Sequence, residues 1–222
     1  PCPLLSEPAL AKKRNPTKQL VQTLASIKSE NSYGRVSRPI YQNKLFDCLP
    51  RAVPCGLYYY SDPFMAFSVG CELAAITHSH PTAYLATGAL AAVIAFICKG
   101  STIERAVLDT MKILKDHDGF EDCFAALDKA LSLLDSETSP LTDVAELGNG
   151  STADSALAIG VYCACIHYDY LSAVQLAANQ DGISDICAFI AGALKGVLHG
   201  YSEIPSSFIK KLQFADIIKD YA

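Results

Sequence analysis

Hydrophobic positions along this chain recur at three- and four-residue spacing, and no stretch shows sustained β-branched alternation. Residues 17–29 place Leu20, Leu24 and Ile27 on one face and predict an amphipathic helix. Residues 30–45 are polar, contain Gly34 and Pro39, lack periodicity, and read as a loop. Asp62 followed by Pro63 predicts a capped helix over about 63–78. Pro81 opens the next, over 82–98, and Gly100 stops it. Ser101 and Glu104 form a capping-box pattern before an amphipathic helix to about Lys115. Phe120, Phe124, Leu127, Leu131 and Leu134 mark a helix over 120–134. Pro140 and Gly148–Gly150 bracket a loop, after which Ser151 and Asp154 are placed to cap a helix to about His167. Further helices are expected over about 170–179, 184–199 and 206–220.

Three of these segments, 83–98, 156–166 and 186–198, are apolar nearly all round and rich in Ala, Gly, Ser and Cys. A helix without a polar face must be enclosed, and small residues let neighbours approach closely. The pattern predicts an all-α, multilayer helical bundle. With no internal repeat or low-complexity linker, residues 1–222 are expected to form a single domain. The apolar run Ala83–Cys98 has 16 residues, short of the roughly 20 a bilayer requires, so a central core helix is expected.

Composition sharpens this picture. Half of the chain is hydrophobic and 18% is charged, which excludes a disordered chain. A net charge of -5 gives no reason to expect nucleic acid or an anionic membrane as partner. The 9 Cys are odd in number, lack CxxC spacing and mostly sit in apolar helical runs, so buried free thiols in a reducing cytoplasm are expected. No signal peptide is visible, and the chain opens on Pro1 rather than Met, so an upstream segment of a longer product is an open expectation.

Candidate chemistry lies in three places. His78 and His80, in a turn between two helices, could join a metal site given further ligands, or else cap and pack, one of them exposed. His117, His167 and His199 sit near helix C-termini, where they favour the dipole. Asp181, Ser184 and Asp185 stand where a turn at Gly182 enters a helix; they can cap it or offer oxygen to a hard cation. Asp181 and Asp185 share a face if that helix begins at Asp181. Gly148, Asn149 and Gly150 form a turn before a helix N-terminus, either a plain loop or a seat for an anion.

These pieces occur in a familiar order. Thr77-His-Ser-His-Pro81 through Ala92 is similar to the THGHP segment of the ADP-ribosylglycohydrolases, the dinitrogenase reductase-activating glycohydrolase superfamily. Leu147-Gly-Asn-Gly150 through Ala164 resembles that family's LGxGW-x-AEEALAIALYCAL segment. Ala178–Gly192 resembles ANHSGDSDSTGAIAG, and Ile204-Pro205 fits the end of the following loop. Pro39–Lys44 and Arg51–Pro54 fit the flanks of the SKGCGGVMRSAP loop, so the collinear match spans roughly 16–205.

The resemblance implies a multi-helix orthogonal bundle of ADP-ribosylglycohydrolase type. It also implies a binuclear Mg²⁺ or Mn²⁺ centre and hydrolysis of the bond from ADP-ribose to a protein side chain. Asp181, Ser184 and Asp185 fall in its metal segment; His78 and Gly148–Gly150 fall where ligand contacts are expected. The departures are specific. Ile183 replaces a metal-ligand Asp, and Ile186-Cys187 replace Ser-Thr. Leu45, Phe46, Asp47 and Cys48 replace Gly-Cys-Gly-Gly at the diphosphate loop, and Ser151 replaces Trp. The family's Gly-Asp-Ala and Thr-Asp-Asp-Thr metal motifs have no counterpart in residues 1–16, where Glu7 is the only acid.

The expectation is therefore a pseudoenzyme that binds a partner or an ADP-ribose-like ligand and needs no cofactor. The alternative is a Mg²⁺- or Mn²⁺-dependent hydrolase acting on ADP-ribosylated protein, completed by an upstream segment or a second chain. A purely structural bundle is the third reading. Ile183 is expected to be packed, and 45–48 are expected not to form an open phosphate loop.

Overall fold

The computed structural model describes residues 17–212, so Glu7 and positions 213–220 of the last expected helix lie outside it. Eleven α-helices occupy the described residues, with no strand among them and two isolated bridges, Arg35 to Arg38 and Leu45 to Thr152. The helices are α1 (Lys18–Glu30), α2 (Ala52–Tyr58), α3 (Pro63–Ala75), α4 (Pro81–Cys98), α5 (Ile103–Leu114) and α6 (Glu121–Ser132). They continue as α7 (Pro140–Glu146), α8 (Ala153–Ile166), α9 (Tyr170–Ala178), α10 (Ser184–His199) and α11 (Ser206–Lys211). A 3₁₀ helix, Phe46–Arg51, runs into α2, and shorter ones lie at Leu133–Asp135 and Tyr201–Glu203.

Local chemistry sets most boundaries. Asp62 Oδ1 accepts from the Phe64 and Met65 amides, and Pro63 supplies a first helical residue that needs no donor. Thr17 caps α1 through the Leu20 amide, and Asp169 caps α9 through the Ser172 amide. Thr102, not Ser101, caps α5, by accepting from the Arg105 amide. The one-residue shift places Glu104 outside the reciprocal position of a capping box. Residues 140–146 are helical rather than a loop: Ser139 accepts from the Thr142 amide, and Pro140 occupies the first turn.

The core is built on α4, of which 83% is buried within the protein, so this span-length helix is a core helix. α3 lies against it where Gly70 meets Gly88, and a Cβ built on Gly70 would stand 3.0 Å from Gly88 Cα. α8 and α10 approach in the same way, because Gly160 faces Ile190. One hydrophobic cluster runs from Cys48 on the 3₁₀ helix through α4 and α8 to Leu194 on α10.

A polar tie fixes α7 to α8 inside this apolar setting. Asp143 is buried, and its Oδ2 accepts from Tyr162 Oη at 2.7 Å. Its Oδ1 accepts from Ser136 and Thr138, and these donors hold its carboxyl below the usual range, with Thr138 first. Tyr162→Phe is expected to cost about 2 kcal/mol, because it removes a charge-assisted bond and leaves Oδ2 buried and bare. A melting temperature lowered by roughly 4–8 °C checks this; an unchanged value would show the tie to be idle.

Candidate functional site

Two loops meet at the first candidate site. Gly148 and Gly150 have φ of 112° and 72°, a left-handed backbone that side chains resist. Ser155 Oγ accepts from the Gly150 amide at 3.1 Å and donates to the Leu147 carbonyl at 3.1 Å. The Ser151 amide donates to Asn149 Oδ1 at 3.0 Å. Two amides of the proposed anion seat are thus used internally. Ser155 fastens the turn, while Thr152 stands at the N-cap of α8 without a side-chain cap bond; neither Ser151 nor Asp154 caps it.

The second loop leans on the first. The Ile183 amide donates to the Asn149 carbonyl at 2.8 Å, and Gly182 lies too close to the Asn149 backbone for any Cβ. Gln180 Oε1 accepts from the Gly182 amide at 2.8 Å. Between the loops and α7 opens a cleft of about 530 Å³, lined by Leu141, Ala145, Gly148, Asn149, Asn179, Gln180, Asp181 and Gly182. Asp181 and Asn149 are exposed there.

A separate cavity of about 360 Å³ is lined by Thr17, Leu20, Phe46, Asp47, Pro50, Asp185, Ile186 and Phe189. Asp185 is the second residue of α10, and its Oδ1 accepts from the Ile186 amide at 2.9 Å. Helix α10 starts at Ser184 with no side-chain cap bond, so neither Asp181 nor Ser184 caps it. Behind Asp47 stands His78, 0% exposed, with Nδ1 2.7 Å from Thr77 Oγ1 and Nε2 3.8 Å from Asp47 Oδ2. Neither His78 Nε2 nor Asp47 Oδ2 has a hydrogen-bond partner. His80 caps α4 through the Thr82 amide and is half-buried, so neither histidine of the turn is exposed. Burial, then Lys44, lowers the His80 pKa.

The segment 45–48 forms no open loop. Leu45 bridges to Thr152, and Phe46–Arg51 coil as a 3₁₀ helix. Cys48 points inward, within reach of the Leu45 and Ala83 carbonyls, and burial pushes its thiol up to about 11.

The model of the ADP-ribosylglycohydrolase family matches residues 7–222. The chain belongs to this family. A solved structure titled "ADP-ribosylglycohydrolase-related protein complex" superposes with a TM-score of 0.66 at 20% identity, over 96% of this chain and 69% of that one. That likeness shows the all-α fold. No curated protein matches the chain.

In this member of the ADP-ribosylglycohydrolase family the acids of the metal segment separate. Asp181 lines the larger cleft and Asp185 the smaller cavity. Ile183 lies between them, half-buried against the core and beside Gly150. Among the described residues no group of three His, Cys, Asp or Glu side chains is placed to hold a metal ion. Hard cations take about six or more oxygens, and these residues do not fit a binuclear centre.

Sequence reasoning missed the pairing of Asp47 with His78, since 31 positions separate them. It also missed a polar cluster beside α4, where Thr82 Oγ1 donates to Asp122 Oδ2 at 2.8 Å and Asp154 Oδ1 is buried without a partner.

Proposed function

We propose that this chain is a non-catalytic ADP-ribosylglycohydrolase that acts by binding an ADP-ribose-like ligand or a partner protein. The observation that carries the reading is the divergence of Asp181 and Asp185 into different cavities, with apolar Ile183 packed between them. Hydrolysis of a glycosidic bond at a metal centre needs charge concentrated at one point, and these two carboxylates are held apart. The closed 45–48 segment supports the same reading, because Asp47 adds negative charge where the resemblance places a diphosphate.

The seat this reading favours for an ADP-ribose-like ligand is the cleft of about 530 Å³. Leu141 and Ala145 offer an apolar wall for a ring, and Asn149, Asn179, Gln180 and Asp181 offer amide and carboxylate groups for hydroxyls or a base edge. Seven of the eight described cysteines are buried or half-buried free thiols, which supports a reducing, cytoplasmic setting.

Full-length protein incubated with arginine- and serine-linked ADP-ribosyl peptides in Mg²⁺ or Mn²⁺ is expected to release no ADP-ribose above the uncatalysed background. Turnover on the order of 1 s⁻¹, ordinary for an enzyme, would overturn the reading. Calorimetry with ADP-ribose is expected to show binding that Asn149→Ala weakens by about tenfold, the equivalent of roughly 1.4 kcal/mol.

A further inference from the structure

We propose that the outer face of the α2–α3 hairpin is a self-association surface whose partner is a second copy of this chain. The inference goes beyond the function proposed above and does not rest on ligand binding. Helix α3 poses the problem. Ser68 and Glu72 are the only polar side chains among its 13 residues, and a helix apolar all round belongs inside a core. Yet α3 buries one side against α4, while Phe64, Met65 and Leu73 stay exposed. The end of α2 and the turn after it add Leu57, Tyr58 and Tyr60, also exposed.

These side chains belong to one face. Gly56 of α2 and Gly70 of α3 both lie against Ala91 of α4. A Cβ on Gly56 would stand 2.6 Å from the Ala91 carbonyl, and a Cβ on Gly70 would stand 3.1 Å from Ala91 Cβ. Two helices seated on the same residue lie side by side, and their outward sides adjoin. Arg51 Nη1 donates to the Leu73 carbonyl at 2.9 Å, which ties the start of α2 to the end of α3. The Asp62 amide donates to the Tyr59 carbonyl at 2.9 Å and closes the other end.

Area and charge identify the guest. The six side chains expose on the order of 600 Å², the upper limit of the largest patch on an ordinary monomer, about 300–600 Å². Two such faces together bury roughly 1,200 Å², where specific interfaces begin. Between Leu57 and Leu73 the only charges are Asp62, spent on capping α3, and Glu72, which accepts from the Val36 amide. Two copies therefore meet without like charges at the centre. Lys99 Nζ donates to the Ser61 carbonyl at 3.3 Å, so a base stands beside Asp62 at the rim. A twofold contact needs such a pair, since each residue then meets its counterpart's partner. The absence of Lys and Arg from 57–73 disfavours an anionic lipid surface.

The face also carries a knob and a hole. Tyr58 is 79% exposed. Phe64 borders a groove of about 330 Å³ lined also by Phe96, Asp109, Lys112, Ile113 and Asp116, and Tyr58 is not in that lining. An aromatic side chain of the second copy fits this groove as an anchor.

The test is sedimentation equilibrium of the whole chain from about 1 to 100 μM, a range that brackets a dissociation constant on the order of 10 μM, as expected for an interface at the low end of the size range. Tyr58→Glu and Phe64→Glu are each expected to weaken the dimer at least about tenfold. Tyr168→Glu, at an exposed position on the far side of α8, is expected to leave it unaltered. Phe64 is 63% exposed, so both variants are expected to keep the wild-type far-ultraviolet circular dichroism. A chain that stays monomeric throughout the range would overturn the assignment, as would a dimer indifferent to both substitutions. So would a monomer that binds phosphatidylcholine vesicles and loses them on Phe64→Glu, which would assign the face to a membrane. No residue lining the cleft of about 530 Å³ belongs to this face, so ADP-ribose affinity is expected to be equal for monomer and dimer, and the two proposals fail separately.

Discussion

Raising the pH past about 10 is expected to destabilise this protein steeply, through its buried thiols. Burial pushes Cys48 up to about 11 and Cys163, Cys165 and Cys187 up to about 12, from an ordinary value of 9.0. Cys71 and Cys123 are raised as well, also chiefly by burial. A thiol whose folded value lies above its unfolded value contributes stability in full below pH 9.0. That contribution is lost as pH rises toward the folded value. One pH unit above 9.0, each of Cys48, Cys163, Cys165 and Cys187 costs the folded state about 1.4 kcal/mol, so the four together cost roughly 6 kcal/mol. Domains hold only about 5–15 kcal/mol in total. Helical circular dichroism and thiolate absorbance are therefore expected to change together in one cooperative step as the pH rises past about 10. Thiolate absorbance that climbs while the helices persist would show that these sulfurs are not protected by the fold. At neutral pH, Cys98 is the exposed thiol among the described cysteines and is expected to be the first labelled by a thiol reagent.

The same burial explains which parts of the fold could be read in advance. Helices α4, α8 and α10 were legible because an apolar segment free of Pro and rich in small residues has only one place to go. The limits of α10, Ser184–His199, agree with the expected 184–199. The 3₁₀ helix and α2 were not assigned in advance, because Pro50, Pro54 and Gly56 interrupt any period there. Gly56 is needed for packing rather than for a turn: its Cβ would stand 2.6 Å from the Ala91 carbonyl. At the site, the Gly148–Gly150 and Asp181–Gly182 segments were both marked by sequence, and the fold brings them into contact. The shared face of Asp181 and Asp185 was conditional. It required a helix starting at Asp181, whereas Gly182 is pinned to the Asn149 backbone and the helix starts at Ser184. A contact between Asn149 and Ile183, 34 positions apart in the chain, decides that start, and local spacing carries no signal of it.

Gly88→Val is expected to be the most damaging single substitution in the core. A Cβ at Gly88 meets Cys71 Sγ and comes within 2.8 Å of the Phe67 carbonyl. A carbonyl on a helix backbone cannot turn aside as a side chain can, so α3 and α4 must separate. Phe67 and the α4 residues around Gly88 are fully buried, and no solvent-side slack absorbs the shift. Even Gly88→Ala is expected to be net destabilising, since overpacking costs about 1–3 kcal/mol against a gain of roughly 0.5–1 from helix propensity. Valine adds two methyl groups at the closest point, and the expected loss exceeds about 3 kcal/mol, a fall of more than roughly 6–12 °C in melting temperature. Gly196→Ala in α10 provides the contrast: its Cβ meets nothing within 4 Å, and a gain of about 0.5–1 kcal/mol is expected. Thermal melts that rank Gly88→Val level with wild type would refute the close approach of α3 and α4. Parting those helices also moves the turn between them, and with it His78, whose place behind Asp47 depends on this contact.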